Sequence, residues 1–223
     1  MFKKLRLKYH ERMAFNGFVK SDFDTALKHF RKIAGLVPEK EGIDFNSAVC
    51  LMSLRRYDEA EKYLQSELEK GNEGLPLKQA LAENAFHCGL REEALNRYNN
   101  ILKYDLPDKV RMFTELKKNV MEDEKRFKDA LKSRTEMEKG DSLLAQGDHK
   151  KARKHFAKAA RLDPTCFQAH NNLGVIAMNF LNDYKAALTH FEKADSLNDI
   201  PAVQMNIQRL NEALLKEQEH ADD

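Results

Sequence analysis

Alanine recurs at Ala14, Ala48 and Ala82, and again at Ala26, Ala60 and Ala94, each time at an interval of 34 residues. The same interval separates Gly140 from Gly174, and Ala152 and Ala187 lie 35 apart. A fixed period in this range means that one supersecondary unit is copied and stacked, each copy burying its neighbour's apolar face. Stacked units present long binding surfaces and seldom enclose a catalytic pocket. The period therefore constrains how the chain binds, and leaves open what it binds.

The unit itself reads as a helix hairpin. In the second copy, Ile43, Ser47, Ala48, Leu51 and Met52 fall at helical spacing, and so do Tyr57, Ala60, Glu61 and Leu64 beyond Arg55-Arg56. Two helices joined by a tight turn approach closely only if small residues face each other. Ala14 with Ala26, Ala48 with Ala60, Ala82 with Ala94, Gly140 with Ala152 and Gly174 with Ala187 are the candidate contacts. A large residue follows each second small one by four: Phe30, Leu64, Tyr98, Phe156 and Phe191. One turn on, it shares that face and can fill the gap between stacked units. Pro38, Pro107 and Pro164 stand where second helices should stop.

Composition agrees. Nine glycines and five prolines in 223 residues leave little to interrupt helices, and a hydrophobic share of 42% suffices for a continuous core. A net charge of +2 makes no overall electrostatic case for nucleic acid. Cys50, Cys88 and Cys166 share no redox or metal-ligand spacing, so they read as reduced thiols in a cytoplasmic protein. The opening MFKKLRLKYHERM lacks the apolar stretch of a signal peptide, and no run is long enough to span a bilayer.

The stretch GDSLLAQGDHKKARKHFAKAARLDPT (140–165), followed by NNLGVIAMN and YKAALTHFEKA, resembles the tetratricopeptide repeat family. Five units in register extend the resemblance over about four-fifths of the chain. It departs in having no tryptophan, in His149 and Arg91 near the turns, and in Glu67 where a small residue is usual. The resemblance implies an all-α superhelical solenoid of about five hairpins. It also implies a concave side lined by the first helix of each.

The period breaks between Ala94 and Ala152, which are 58 residues apart. The region contains neither glycine nor proline from Asp108 to Lys139, and Phe113, Leu116, Val120, Phe127, Ala130, Met137 and Leu144 form a stripe flawed at Asp123 and Arg134. The expectation is one long helix over 108–145, with two helices broken around Glu122-Asp123 as the alternative. The domains expected are an N-terminal array at 1–107, this connecting helix, and a C-terminal array at 133–223 that ends in a capping helix bearing Val203, Ile207, Leu210 and Leu214.

Carried over residue by residue, the resemblance puts Phe15, Phe45, Asn46, Val49, Met52, Gln79 and Glu83 in the first groove, and Asn171, Asn172 and Val175 in the second. Aromatics beside amides suit an extended peptide or short helix, because rings supply area and amides fix backbone register. The competing reading is that Val49, Met52 and Phe86 only pack between helices. The family's clamp for acidic chaperone tails needs lysine and asparagine on the first unit and lysine with arginine on the third, at positions held here by Glu11, Phe15, Pro76 and Ala80, so that clamp is not expected despite Asn46. Lys150, Lys154, Lys158 and Arg161 share one helix face that an acidic partner could meet, or that solvent covers.

No histidine, cysteine or glycine pattern of a catalytic, metal or cofactor site occurs. The function expected is a non-enzymatic adaptor or scaffold for a partner protein or peptide, with no cofactor and no small-molecule substrate. The alternatives are a self-assembling homo-oligomer and a regulatory subunit that meets nucleic acid or a membrane complex through Lys3, Lys4, Arg6 and Lys8.

Overall fold

The computed structural model describes residues 2–198 and 201–222, with side chains to Leu215. Among them every regular element is a helix: α1 Phe2–Val19, α2 Phe23–Leu36, α3 Ile43–Ser53, α4 Tyr57–Glu69, α5 Leu75–His87, α6 Arg91–Ile101, α7 Asp108–Glu122, α8 Glu124–Ala145, α9 His149–Leu162, α10 Phe167–Phe180, α11 Tyr184–Leu197 and α12 Pro201–Asp222. The chain divides into two compact units, Met1–Ile101 and Leu102–Asp223. The first holds the hairpins α1–α2, α3–α4 and α5–α6; the second holds α8–α9 and α10–α11, with α7 and α12 packed on them.

The small residues do what their spacing requires. Ala14, Ala26, Ala48, Ala60, Ala82, Ala94, Ala152 and Ala187 have no accessible surface, so each lies in a helix–helix contact. In the two C-terminal hairpins glycine replaces the first alanine because a ring lies over it. A Cβ at Gly140 would come within 2.5 Å of Phe156, and one at Gly174 within 2.5 Å of Phe191. The rings thus seat inside their own hairpin, against the glycine, rather than filling only the gap between units. Each is fully buried, which stabilises the hairpin by about 2–3 kcal/mol.

All five hairpin turns place one residue in the left-handed region; four close with a bond spanning five residues, and the fifth, at Asn182, with one spanning six. Ser21, Arg55, Gly89, Gly147 and Asn182 occupy the left-handed region, with φ of 58°, 59°, 79°, 79° and 50°. The next amide returns to the end of the first helix: Asp22 to Gly17 O at 2.8 Å, Arg56 to Leu51 O at 2.8 Å, Leu90 to Ala85 O at 3.0 Å, Asp148 to Leu143 O at 2.9 Å and Asp183 to Ala177 O at 3.0 Å. These bonds satisfy carbonyls that a helix C-terminus leaves unpaired. Asp22, Asp148 and Asp183 then cap the following helix by accepting from the amides of Thr25, Lys151 and Ala186.

The region 108–145 is two helices, which corrects the expectation of one. Asp123 adopts an extended conformation (φ −104°, ψ 117°), and its carboxylate accepts from the Arg126 amide at 2.8 Å. A side-chain cap competes with continued helix, so an aspartate breaks this segment without help from glycine or proline. The break lets α7 turn back over the second unit, where it packs on α8 and α11 and Lys109 pairs with Asp195 at 3.2 Å. Pro107 stands at the N-cap of α7 rather than directly after a helix. At the other end α12 covers α11 and α10, burying Val203 and Leu210.

Candidate peptide-binding groove

In the first unit α3 turns Ile43, Ser47, Ala48, Cys50 and Leu51 into the core. Phe45, Asn46, Val49 and Met52 lie on the remaining face and are half-buried. Phe45 and Met52 pack partly against the core and Phe86 is wholly inside, so interhelical packing accounts for Phe86 and part of Met52. Phe15 on α1 is 67% exposed, a large apolar surface left in water.

Phe45 is held in place by a residue that sequence reasoning treated only as a departure. Gly42 starts α3 with φ 74° and brings no side chain to cap it. Glu67, from the end of α4 and 2% exposed, supplies the missing acceptor: its Oε1 receives the Phe45 amide at 3.2 Å. A buried carboxylate at a helix N-terminus satisfies an orphan amide and meets the favourable end of the dipole. Asp44 is fixed likewise, accepting from Ser66 and from Lys70, each at 2.6 Å.

Asn46 on α3 and Gln79 on α5 are half-buried, and their side-chain amides have no hydrogen bond among the described residues. Glu83 differs: its carboxylate accepts from Tyr98 Oη at 2.5 Å and lies 3.0 Å from His87 Nε2, whose ring stacks on Tyr57. Beside it Glu61 accepts from Asn84 at 2.7 Å and from Arg97 at 3.2 Å, joining α4, α5 and α6. Burial raises the Glu61 carboxyl, but the bonds from Gln65, Asn84 and Arg97 outweigh it and hold the group below its ordinary range. These contacts brace the stack. The two amides do not.

The equivalent positions of the second unit are taken up within the chain. Asn206 on α12 donates to Asn171 Oδ1 at 2.9 Å, and Asn172 donates to Asp141 on α8 at 3.3 Å. Val175 and Met178 pack in one apolar cluster with Ile207 and Leu214 of α12.

The basic face of α9 is partly neutralised. Lys158 and His155 both reach Glu136, which is nearly buried, at 3.0 and 2.7 Å. These two hydrogen bonds hold the Glu136 carboxyl down at about 2. Lys150, Lys154 and Arg161 are exposed, without an ion pair among the described residues. A cleft of about 390 Å³ that the sequence did not reveal lies between α2 and Arg56, lined by Asp24, Leu27, Lys28, Arg31 and Lys32. Arg31 and Arg56 are bonded there to Glu59. Among the described residues no three metal-ligating side chains converge, and no helix is long and apolar enough to cross a membrane. Burial pushes the Cys50 thiol up to about 12, which leaves it unreactive.

The Hsp70-Hsp90 organizing protein of Triticum aestivum is 25% identical over 168 residues, covering 70% of this chain and 29% of that protein. The chain therefore spans less than a third of that relative's length. Among solved structures, YrrB, described as a TPR protein with an unusual peptide-binding site, matches at 16% identity over 88% of each chain, with a TM-score of 0.43. A crystal form of MamA matches at 12% identity over 92% of this chain and 98% of that one, with a TM-score of 0.46. The sequence profile of the tetratricopeptide repeat matches residues 18–74 and 137–199, more than half the chain, and the protein belongs to the tetratricopeptide repeat family.

Proposed function

We propose that this chain is a non-enzymatic adaptor whose first unit captures an extended segment of a partner protein across α1, α3 and α5. Proteins of this family mediate protein–protein interaction. The observation that carries the reading is the pair of uncommitted amides, Asn46 and Gln79, beside Phe15, Phe45 and Val49. An amide side chain offers one acceptor and two donors, enough to read a peptide's backbone, while exposed rings offer area for its side chains. Met52 completes the apolar floor, and Glu83 acts as a strut because Tyr98 and His87 engage it.

The groove carries no clamp for a C-terminal carboxylate. Glu11, Pro76 and Ala80 hold the positions where cations would be needed and Phe15 that of an asparagine, and Glu11 itself pairs with Lys40 at 2.9 Å. The name of the wheat relative therefore does not extend to the ligand proposed here. The free cations of α9, Lys150, Lys154 and Arg161, favour a second and weaker contact with acidic stretches of the same partner. We place the protein in the cytoplasm, where three cysteines outside any disulfide stay reduced.

Affinity for one short segment should be near micromolar, about −8 kcal/mol. The test is selection of peptides from a randomised displayed library on the full chain, followed by calorimetry. Asn46→Ala and Gln79→Ala should each weaken the selected peptide about fivefold, since each removes hydrogen bonding worth about 1 kcal/mol. Unchanged affinity in the double variant would exclude the groove.

A further inference from the structure

Helix α1 carries a second surface, distinct from the groove. Phe2, Leu5 and Tyr9 are 85%, 67% and 57% exposed, and their spacing of three and four aligns them in one stripe. Arg6, Lys8 and Arg12 flank the stripe at helical spacing, with Lys3 and Lys4 farther round the first turn, all exposed and without an ion pair among the described residues. The single carboxylate of the helix, Glu11, is held by Lys40. The first turn contains no acid, so uncompensated cations sit at the positive end of the helix dipole, where an anion would be stabilised.

We propose that α1 is a peripheral docking helix for an anionic lipid surface. Phe2, Leu5 and Tyr9 enter the boundary between headgroups and acyl chains, while the flanking lysines and arginines reach the phosphates. Charge complementarity selects the anionic surface. The extent of the stripe selects a bilayer over a partner helix: its next two positions are Arg12 and Asn16, so the apolar part ends after about 10 Å. A helix packing along α1 would bury those polar residues, whereas a bilayer takes up a short apolar edge and leaves Arg12 among the headgroups. Nucleic acid would satisfy the cations but leave Phe2 and Leu5 in water.

The test is co-sedimentation of the full chain with extruded phosphatidylcholine vesicles, with and without about 30% phosphatidylserine, at low and high salt. The wild-type chain should sediment with the anionic vesicles at least tenfold better than with the neutral ones, and high salt should release it. Arg6→Gln with Lys8→Gln should lower the partition coefficient about 25-fold, from about fivefold for each cation near the surface. Phe2→Ser with Leu5→Ser should lower it about tenfold, with an unchanged melting curve because both residues are solvated in the fold. Neither pair should alter peptide affinity in the groove, so failure here is distinguishable from failure of that reading. Absence of anionic-vesicle binding, or binding unaffected by the Phe2/Leu5 pair, would overturn the proposal. Binding of single-stranded RNA in preference to the vesicles would overturn it as well.

Discussion

The two units use the same hairpin yet differ in what becomes of their first helices. In the first unit Asn46 and Gln79 hold nothing among the described residues, and Phe15 stands in solvent. In the second, Asn171 accepts from α12, Asn172 reaches Asp141, and Val175 packs in the cluster with Ile207 and Leu214. The packing inside the hairpins differs to match. The first unit places alanine where the second places glycine under a phenyl ring. The difference teaches that a repeat position does not carry a role by itself. An amide on a first helix binds a partner only if no helix of its own chain arrives first.

That contrast can be broken most severely at α12. Leu210, with no accessible surface, anchors the helix, and Leu210→Ala should cost about 3 kcal/mol in chemical denaturation. Peptide binding by the first unit should survive. Loss of binding along with stability would show that the groove depends on α12.

Glycine under the ring comes next. Gly174→Ala should cost about 2 kcal/mol, because the Phe191 ring must shift from a Cβ placed 2.5 Å away. An unchanged melting temperature would mean the ring relocates freely and the glycine is incidental.

Acid should act on histidines that join the two helices of a hairpin, His29 in the first unit and His170 in the second, both lowered by burial. His10 and His29 Nδ1 atoms lie 2.9 Å apart, and those of His170 and His190 lie 3.4 Å apart. Burial, then the neighbouring His190 and Lys193, lower His170 to about 4 from an ordinary 6.5. The unfolded chain thus binds the extra proton first. Stability should be full above pH 6.5 and fall as pH drops toward 4. Half-exposure and solvent screening reduce the expected loss at pH 5 to about 1 kcal/mol. His170→Asn should flatten this slope in urea melts at pH 7 and pH 5, and a slope equal to wild type would assign it elsewhere. Glu136, held at about 2, adds an acid-side loss only below its ordinary 4.5.

The turns give the smallest effects and the finest comparison. Ser21→Gly in the first unit should stabilise by about 0.5 kcal/mol, and Gly147→Ser in the second should destabilise by about 1 kcal/mol, since both positions are left-handed. Thermal melts of the two variants moving in the same direction would contradict a shared turn geometry.

The repeat was legible because small residues at a fixed interval have one physical use, the close approach of paired helices. Ala48, Ala60, Gly140 and Gly174 mark the hairpins by their spacing alone. The break at Asp123 was harder to read, since an aspartate flanked by glutamates suits a helix start and an exposed helix face equally well. Left-handed turns at Ser21, Arg55 and Asn182 were hidden because glycine fills the same position only at Gly89 and Gly147. Glu67 looked like a fault in its repeat, and its use appears only once Gly42 leaves α3 uncapped. For the candidate groove, the pattern placed every residue on a first helix but could not show which would be covered. For Asn171 and Val175 that is decided by where α12 lands, for Asn172 by Asp141, and for Glu83 by Tyr98 and His87.

The central claim is that the first unit keeps its groove open for a peptide while the second closes its own. Chemical-shift mapping by NMR, titrating a library-selected peptide into the labelled full chain, tests it most directly. The account predicts the largest shifts at Phe15, Phe45, Asn46, Val49 and Gln79, with α10 unmoved. Shifts centred on Asn171, Asn172 and Val175 would contradict it.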